Sequence, residues 1–482
     1  MSSLKFGTSG LRGLSSELNG PAAAVYASAF SRHLLDNRLS KSGDSIFIGR
    51  DLRASSPAIA AGCAGALSLE GFRVEDCGVI PTMALALYAM ERNSACLMVT
   101  GSHIPDDRNG IKFYVPAGEI SKSDEASIAA HALHISAPPS FTPFENGTAL
   151  DCAKPARAAF AARAAKILAH CALSGLRIGI YQHSSVARDM LADVLLGYGA
   201  DVTPLGRSES FVAVDTEAVS ADTVGKLRSW CHEHRLDAII SADGDGDRPL
   251  VTDERGMPLR GDLLGLVTAK FIGADAAVTP VTSNSGIEAA LNRRVTRTKV
   301  GSPFVIEAMN EAIASGAERV LGFEANGGCL LGSDVEINGA VLKALPTRDS
   351  FLPVLSVLDM AARQRLPLSE IAAGYGLPFA LSDRLESFPI ETSAALMAHL
   401  KASPGNLASF LAPIGNPASN SDIDGLRVTL ADGNIIHLRP SGNAPEMRCY
   451  VEAKTEKAAR ALLEEGLGLI WAWATSVDYR PR

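Results

Sequence analysis

The sequence predicts an α/β protein with three successive mixed α/β sheet domains and a smaller α+β C-terminal domain around a central cleft. Short apolar segments alternate with helical patterns through most of the chain, which is typical of sheets covered by helices. Hydrophobic residues make up 47% and aromatic residues only 6%, which suits an aliphatic α/β core. The chain of 482 residues exceeds one ordinary domain, so we expect domains over 1–140, 150–254, 255–370 and 375–482.

The elements follow in order along the chain. The first domain alternates strand and helix patterns, namely Ser45–Arg50, Ala58–Leu69, Arg73–Asp76 and Cys96–Thr100, and ends at the Pro-rich connector Ser136–Pro143. The second continues with Leu176–Tyr181, the helix Ser185–Tyr198 and the strand Leu236–Ser241, and the third contains the strands Ala276–Val281 and Arg319–Phe323. The tail predicts a hairpin of Leu426–Leu430 and Ile435–Arg439, a third strand Met447–Ala453 and a closing helix Lys457–Leu467.

Composition excludes several classes of function. A net charge of −8 argues against a nucleic-acid partner and against an anionic membrane surface. The eight cysteines lack Cys-x-x-Cys spacing, which favours a reducing compartment over a disulfide scaffold or zinc site. Because we find neither a secretory signal nor a membrane-length apolar run, we expect a cytoplasmic protein.

The segment Asp243-Gly-Asp-Gly-Asp-Arg248 places three carboxylates at alternate positions after an apolar strand. Such a loop can wrap a hard divalent cation, and Mg²⁺ takes oxygen ligands. A solvated acidic turn is a poor explanation, because adjacent carboxylates repel one another. The better rival is an EF-hand loop for Ca²⁺, but that loop needs glycine where Arg248 stands and a helix where Leu236–Ala242 predicts a strand. We therefore expect Asp243, Asp245 and Asp247 to bind Mg²⁺.

Ser102 places a hydroxyl at the end of an apolar strand. A serine there is usually a turn residue, but His103, Arg108 and Lys112 supply cations that suit a phosphate on the hydroxyl. Pro105 breaks the Gly-x-Ser-x-Gly pattern of acyl hydrolases. A nucleophilic hydroxyl and a metal loop together predict phosphoryl chemistry.

Three further segments are candidate ligand loops. Phe6–Gly13 is either a flexible turn or a backbone nest that aims Arg12 at an anion, and both interpretations stay open. The loop between the last tail strands is a candidate phosphate clamp rather than an ordinary hairpin turn, through Arg439, Ser441, Gly442, Asn443 and Arg448. Glu324 and Asn326 follow another strand and suit either adjacent sugar hydroxyls or a helix cap.

These motifs, in this order, resemble the α-D-phosphohexomutase family of four-domain phosphomannomutases and phosphoglucomutases. The resemblance implies that Ser102 is a phosphoserine whose phosphate joins the three aspartates around Mg²⁺. It assigns Arg248 and Lys112 to the reacting phosphoryl group. The remaining assignments are Gly301 and Ser302 to a sugar loop, Glu324 and Asn326 to sugar hydroxyls, and Arg439, Ser441 and Asn443 to the non-reacting phosphate.

We therefore expect an isomerase that interconverts hexose 1-phosphate and hexose 6-phosphate through a bound 1,6-bisphosphate, which would also serve as activator. Lys112 or His103 would move the hydroxyl proton, and we also count Arg12 among the catalytic residues, because the arginines would stabilise charge on the transferring group. Mannose phosphate is the expected sugar phosphate, while phosphoglucomutase or dual specificity stays open. Outside the class, a metal-dependent phosphatase and a Ca²⁺-binding protein stay open, as does the oligomeric state.

Overall fold

The computed structural model describes residues 3–7, 10–135, 149–441 and 445–476. The chain forms two compact units, one of residues 1–278 and 301–374 and the other of residues 279–300 and 375–482. Mixed α/β sheets with a separate C-terminal sheet confirm the predicted fold class. The division into four domains stays a prediction.

The first part of the chain forms a mixed sheet in the order β1-β2-β6-β5-β3-β4-β8, with β7 paired to β6. Its strands are β1 Lys5–Phe6, β2 Leu11–Leu14, β3 Ser45–Arg50, β4 Arg73–Val79, β5 Ala95–Val99, β6 Arg108–Val115, β7 Gly118–Glu119 and β8 Leu150–Asp151. Its helices are α1 Ser15–Glu17, α2 Ala23–Asp36, α3 Ser56–Leu69, α4 Thr82–Met90 and α5 Lys122–Leu133, with a distorted turn at Leu18–Ala22. Strand β5 lies between β3 and β6, contacts α3 and α4, and is buried along its whole length.

A second sheet has the order β10-β9-β11-β12. Its elements are α6 Ala153–Ala164, β9 Arg177–His183, α7 Arg188–Gly197, β10 Asp201–Arg207, α8 Ala221–His234, β11 Ala238–Ala242 and β12 Pro249–Val251. Strands β9, β10 and β11 are parallel, and β12 returns antiparallel to β11. The aspartate segment forms the turn between β11 and β12.

The next stretch contains α9 Gly261–Phe271, β13 Ala276–Pro280, α10 Ile287–Leu291, β14 Arg294–Thr298, α11 Ser302–Ala314, β15 Val320–Phe323, β16 Cys329–Leu331, β17 Val335–Ile337, β18 Ala340–Leu342, β19 Leu345–Asp349, α12 Phe351–Gln364 and α13 Leu368–Gly374. Residues 276–278 pair in parallel with β15, and β16 and β19 add antiparallel strands. Helix α12 is amphipathic in sequence but largely buried.

The second unit contains an antiparallel sheet in the order β20-β24-β23-β22-β21. Its strands are β20 Phe379–Leu385, β21 Pro417–Ser421, β22 Leu426–Leu430, β23 Ile435–Pro440 and β24 Met447–Ala453, and its helices are α14 Ile390–Ala402, α15 Pro404–Leu411 and α16 Glu456–Ser476. An aliphatic cluster between this sheet and its helices forms the core of the unit.

Two details differ from the sequence-based expectation. The helix expected from Ser185 begins at Arg188, because the Ser185 hydroxyl instead donates to the Asp243 carbonyl at 2.8 Å. The tail sheet has two outer strands, β20 and β21, beyond the three that were predicted. Their side chains are mostly exposed, so neither strand carries the alternating apolar pattern that marks a half-buried strand.

No helix in the described ranges combines the length and apolar character that crossing a bilayer requires.

Candidate active site

The aspartate loop is a tight turn closed by its own backbone. The Asp243 amide donates to the Arg248 carbonyl at 3.0 Å, and the Arg248 amide donates back to Asp243 Oδ1 at 3.1 Å. Gly246 has φ +79°, a left-handed conformation that glycine adopts without strain. A Cβ on Gly244 would lie 2.7 Å from the Ser102 carbonyl oxygen, so glycine there permits the serine loop to approach.

The serine loop follows β5 and reaches this turn across 141 residues of sequence. The Ser102 hydroxyl donates to Asp243 Oδ2 at 2.5 Å, and both residues are buried. Ser102 has φ +56°, which is uncommon outside glycine and requires support from its surroundings. Part of that support is the hydrogen bond from its amide to Thr100 Oγ1 at 2.7 Å.

Lys112 of β6 lies against the same acids. Its Nζ donates to Asp245 Oδ2 and to Asp247 Oδ2, each at 2.5 Å. Burial alone would lower the pKa of Lys112, but the two carboxylates raise it above its ordinary value. Lys112 is therefore an ammonium at neutral pH.

The three aspartates fit a divalent cation. Their ligand oxygens lie within 4.8 Å of one another, and all three residues are buried. Burial, followed by Asp245 and Asp247, raises the pKa of Asp243 well above its ordinary value, which indicates a deficit of positive charge at this carboxylate. Among the described residues, Asp245 Oδ1 and Asp247 Oδ1 have no hydrogen-bond partner, so each is available as a metal ligand.

Two arginines and a histidine lie around this cluster. Arg248 Nη1 donates to His103 Nδ1 at 2.8 Å, and that nitrogen lies 3.3 Å from Ser102 Oγ. Burial and then Arg248 lower the pKa of His103 well below its ordinary value, so the imidazole is neutral at physiological pH. Burial and Arg248 also lower the pKa of Arg12, on β2, to about 10, which leaves its guanidinium charged at neutral pH.

Glu324 and Asn326 lie in the loop after β15. Arg348, at the end of β19, donates through Nε to Glu324 Oε2, and its Nη1 lies 3.9 Å from Asp247 Oδ2. Burial would raise the pKa of Glu324, but Arg348 lowers it below its ordinary value, so Glu324 is a carboxylate. Asn326 Oδ1 accepts from the Gly328 amide at 3.0 Å, which fixes the turn.

The residues assigned to a sugar loop are buried at the start of α11. Gly301 has φ +130°, and the Ser302 hydroxyl donates to Glu119 Oε2 at 2.5 Å. The Ser302 side chain therefore bonds to the protein, and Glu119 joins it to Thr347, whose hydroxyl donates to Glu119 Oε1 at 2.7 Å.

The proposed phosphate clamp belongs to the second unit. Arg439 pairs with Asp424 at 2.9 Å, and Arg448 pairs with Glu446 at 3.2 Å. The Ser441 amide donates to the Glu446 carbonyl at 2.9 Å, which closes the loop. The remaining two clamp residues, Gly442 and Asn443, lie outside the described residues.

Comparison with known proteins decides the family. The models for phosphoglucomutase/phosphomannomutase alpha/beta/alpha domain I, alpha/beta/alpha domain III and the C-terminal domain match residues 3–138, 260–376 and 390–467. The chain is 54% identical to a phosphomannomutase of Sinorhizobium fredii, with 97% of this chain and 98% of the relative covered. The chain belongs to the phosphoglucomutase/phosphomannomutase family. It is therefore a phosphohexomutase, an isomerase that acts by intramolecular phosphoryl transfer.

Two further proteins resemble this chain, one in sequence and one in fold. A phosphomannomutase of Salmonella muenchen is 41% identical over 97% of this chain and 96% of its own length. A family protein of Burkholderia thailandensis has the same fold, with a TM-score of 0.72 at 19% identity and 96% and 97% of the two chains covered.

Sequence patterns missed three polar residues that lie in or against this candidate site. Thr82, the first residue of α4, donates its hydroxyl to Asp245 Oδ2 at 2.5 Å. Arg348 lies in a charged Thr-Arg-Asp segment at a strand end, which was a weak signal. Arg53 follows β3 in Arg50-Asp-Leu-Arg53, where one charged residue ends an apolar strand and two more come after it.

Proposed function

We propose that this phosphohexomutase interconverts mannose 1-phosphate and mannose 6-phosphate, with phospho-Ser102 as donor and a mannose 1,6-bisphosphate as bound intermediate. The observation that carries the proposal is the 2.5 Å contact between Ser102 Oγ and Asp243 Oδ2 within the buried carboxylate cluster. A hydroxyl in contact with a cation-binding cluster suits a phosphoryl group that needs its charge neutralised.

The reaction consists of two phosphoryl transfers in opposite directions. In the first, the bond from Ser102 Oγ to phosphorus breaks, and a bond forms from phosphorus to the free hydroxyl of the sugar phosphate. The bisphosphate then turns around, and its other phosphoryl group returns to Ser102. Lys112, Arg12 and Arg248 are the cations of this chain that stabilise charge on the transferring group, because all three surround the aspartates.

Proton transfer is divided between two groups whose protonation states differ. His103 is a neutral imidazole whose Nδ1 lies 3.3 Å from Ser102 Oγ, so it is suited to accept the proton of an attacking hydroxyl once its hydrogen bond from Arg248 opens. Lys112 is an ammonium, so it is suited to donate a proton to the leaving oxygen.

Asp243, Asp245 and Asp247, with the phosphate on Ser102, would hold Mg²⁺ in this proposal. The ion would supply positive charge to the phosphoryl oxygens during transfer. A related mutase of Aspergillus fumigatus has been solved with GlcNAc-6P and magnesium, which supports this choice of ion. A hexose 1,6-bisphosphate would act as activator, because it rephosphorylates Ser102 when the intermediate escapes.

The non-reacting phosphate is assigned to Arg439, Ser441, Asn443 and Arg448 of the second unit. Glu324 and Asn326 are assigned to sugar hydroxyls, where a carboxylate and an amide give complementary hydrogen bonds. Mannose is preferred over glucose because the two relatives at 54% and 41% identity are both phosphomannomutases.

A coupled assay on mannose 1-phosphate and glucose 1-phosphate, with catalytic bisphosphate and Mg²⁺ present, tests the proposal. We expect a higher kcat/KM with the mannose substrate, and a drop of about 10³-fold or more in kcat for Ser102→Ala. Ser121→Ala, which removes only the N-cap hydroxyl of α5, is the matched control and should retain wild-type turnover. A Ser102→Ala enzyme with wild-type kcat would exclude the phosphoserine route, and a preference for glucose 1-phosphate would exclude the assignment to mannose.

A further inference from the structure

Arg53 is a buried arginine whose guanidinium donates hydrogen bonds to backbone carbonyls of the serine loop. The whole residue is 1% exposed. Nη1 donates to the carbonyls of Pro105 and Arg108 at 2.7 and 3.0 Å, and Nη2 donates to those of Ser102 and Ile104 at 3.0 and 2.6 Å. One side chain therefore binds four carbonyls along the loop that presents the nucleophile.

Asp51 accepts hydrogen bonds both from Arg53 and from the residue that supports the Ser102 amide. It accepts from Arg53 Nε at 3.2 Å and from the Thr100 hydroxyl at 2.7 Å. The Thr100 oxygen in turn accepts from the Ser102 amide at 2.7 Å. The Ser102 peptide is thus tied to the Asp51–Arg53 pair through both its amide and its carbonyl.

Phe211 contacts both the Arg53 guanidinium and the aspartate loop. The Arg53 Cζ lies 3.9 Å from the centre of the Phe211 ring, which is a cation–π contact. The same ring lies over Gly244, where a Cβ would fall 2.9 Å from Phe211 Cε2. The ring is therefore in contact with both loops that form the phosphoryl site.

We propose that Arg53 and Phe211 are positioning residues that fix the backbone of Ser102 relative to the aspartate loop. The inference rests on the proposed role of Ser102. Ser102 has φ +56°, and such a conformation persists only where the surroundings over-determine it. Gly101 shows how closely the loop is fitted to the guanidinium, because a Cβ there would lie 2.6 Å from Arg53 Cζ.

The Arg53→Lys substitution tests whether the hydrogen bonds of Arg53, rather than its positive charge alone, position the serine loop. Lysine keeps the positive charge, but its three donors cannot satisfy four carbonyls and a carboxylate, and it lacks the planar face that stacks on Phe211. A misplacement of about 1 Å at a reacting group costs about 10² in rate. We therefore expect kcat to fall about 100-fold, while KM for the sugar phosphate stays within about twofold, because Arg53 contacts the loop and not the substrate clamp.

Phe211→Leu is the second variant. It keeps an apolar side chain near Gly244 but removes the aromatic face, and we expect a drop of about 10-fold in kcat. Arg163→Lys is the matched control, because Arg163 is also buried and donates to a backbone carbonyl, that of Lys343, at 2.7 Å. The Arg163→Lys substitution should lower the melting temperature of the protein without changing kcat.

A second measurement does not depend on turnover. Because Ser102 contacts Asp243, a displaced serine loop should weaken Mg²⁺ binding, which a thermal-shift titration of the chelated full-length protein measures. We expect the Mg²⁺ midpoint to rise about 10-fold in Arg53→Lys, to rise less in Phe211→Leu, and to stay unchanged in Arg163→Lys.

The outcomes separate this inference from the proposed function. A wild-type kcat in both variants, or equal losses of kcat in Arg53→Lys and Arg163→Lys, would overturn the positioning role. If Ser102→Ala keeps wild-type turnover, the proposed function fails, and the Mg²⁺ midpoints still decide whether Arg53 and Phe211 order the site. Unchanged midpoints in both variants would then overturn the inference.

Discussion

Replacing Lys112 by methionine tests the electrostatic balance of the carboxylate cluster directly. The ammonium is buried and lies 2.5 Å from one oxygen each of Asp245 and Asp247. Methionine keeps the apolar length of the side chain but leaves both carboxylates without their counter-charge. Removing one partner of a buried ion pair costs about 3–5 kcal/mol, because the remaining charge is uncompensated. The unit that contains Lys112 has roughly 350 residues, so each kcal/mol shifts its melting temperature by about 1.4 °C, and the metal-free variant should melt about 4–7 °C lower.

Magnesium should reverse much of this loss. The variant site is more negative than the wild-type site, so Mg²⁺ binding adds more stability to the variant. We expect the rise in melting temperature at saturating Mg²⁺ to be larger in Lys112→Met than in the wild type.

Intrinsic fluorescence reports this unfolding if Trp471 and Trp473 of the second unit are first replaced by phenylalanine, which leaves Trp230 as the only tryptophan. Lys122→Met is the matched control. Lys122 also contacts a carboxylate, that of Glu125, at 2.8 Å, but its side chain is 40% exposed, so its loss should cost no more than about 1 kcal/mol. A metal-free Lys112→Met protein that melts within about 2 °C of the wild type would refute the reasoning.

Three further outcomes are expected. Thr82→Val removes the hydroxyl that donates to Asp245 at nearly constant volume, and should weaken Mg²⁺ binding about 10-fold by calorimetric titration; unchanged affinity would contradict a supporting role. Glu119→Ala leaves the Ser302 hydroxyl without its acceptor, and should raise KM for the sugar phosphate several-fold with little change in kcat, which initial-rate kinetics would decide. Burial lowers the pKa of His437 to about 4, whereas the ordinary pKa of histidine is near 6.5. Between these two pH values the unfolded chain therefore binds a proton at this histidine more readily than the folded chain does. Stability of the second unit should therefore fall by about 3 kcal/mol as pH drops through that range, and hydrogen exchange should show that His437→Asn removes this slope.

The fold and the centre of the site were largely accessible from the sequence, because both depend on local patterns. Alternating apolar strands and helices indicated the α/β sheets, and charged loops after apolar strands indicated where ligands gather. Ser102 and Asp243, 141 residues apart, lie in hydrogen-bond contact as that reasoning required. Their chemical roles stay predictions.

Residues that support the site from a distance could not be predicted in the same way. Arg53 and Arg348 act on carbonyls and acids that lie far away in sequence, so no spacing indicates their partners. Ser302 was assigned to the sugar, yet its hydroxyl bonds to Glu119 of β7, a partner that only the tertiary structure brings near. Surface strands such as β20 and β21 lack apolar alternation, which is why they escaped detection.

The second unit is assembled from two stretches of chain, and this has a consequence for synthesis. Ser285 of the earlier stretch donates its hydroxyl to Glu452, and the Val300 amide donates to Asp424 at 3.0 Å. The ribosome completes residues 279–300 before it makes 301–374, and both acceptors come later still. The early stretch therefore cannot make these two hydrogen bonds until the C-terminal sheet has emerged, and until then its donors are bound to water. Expression of residues 375–482 alone would omit that stretch, so an isolated fragment for folding studies must carry both.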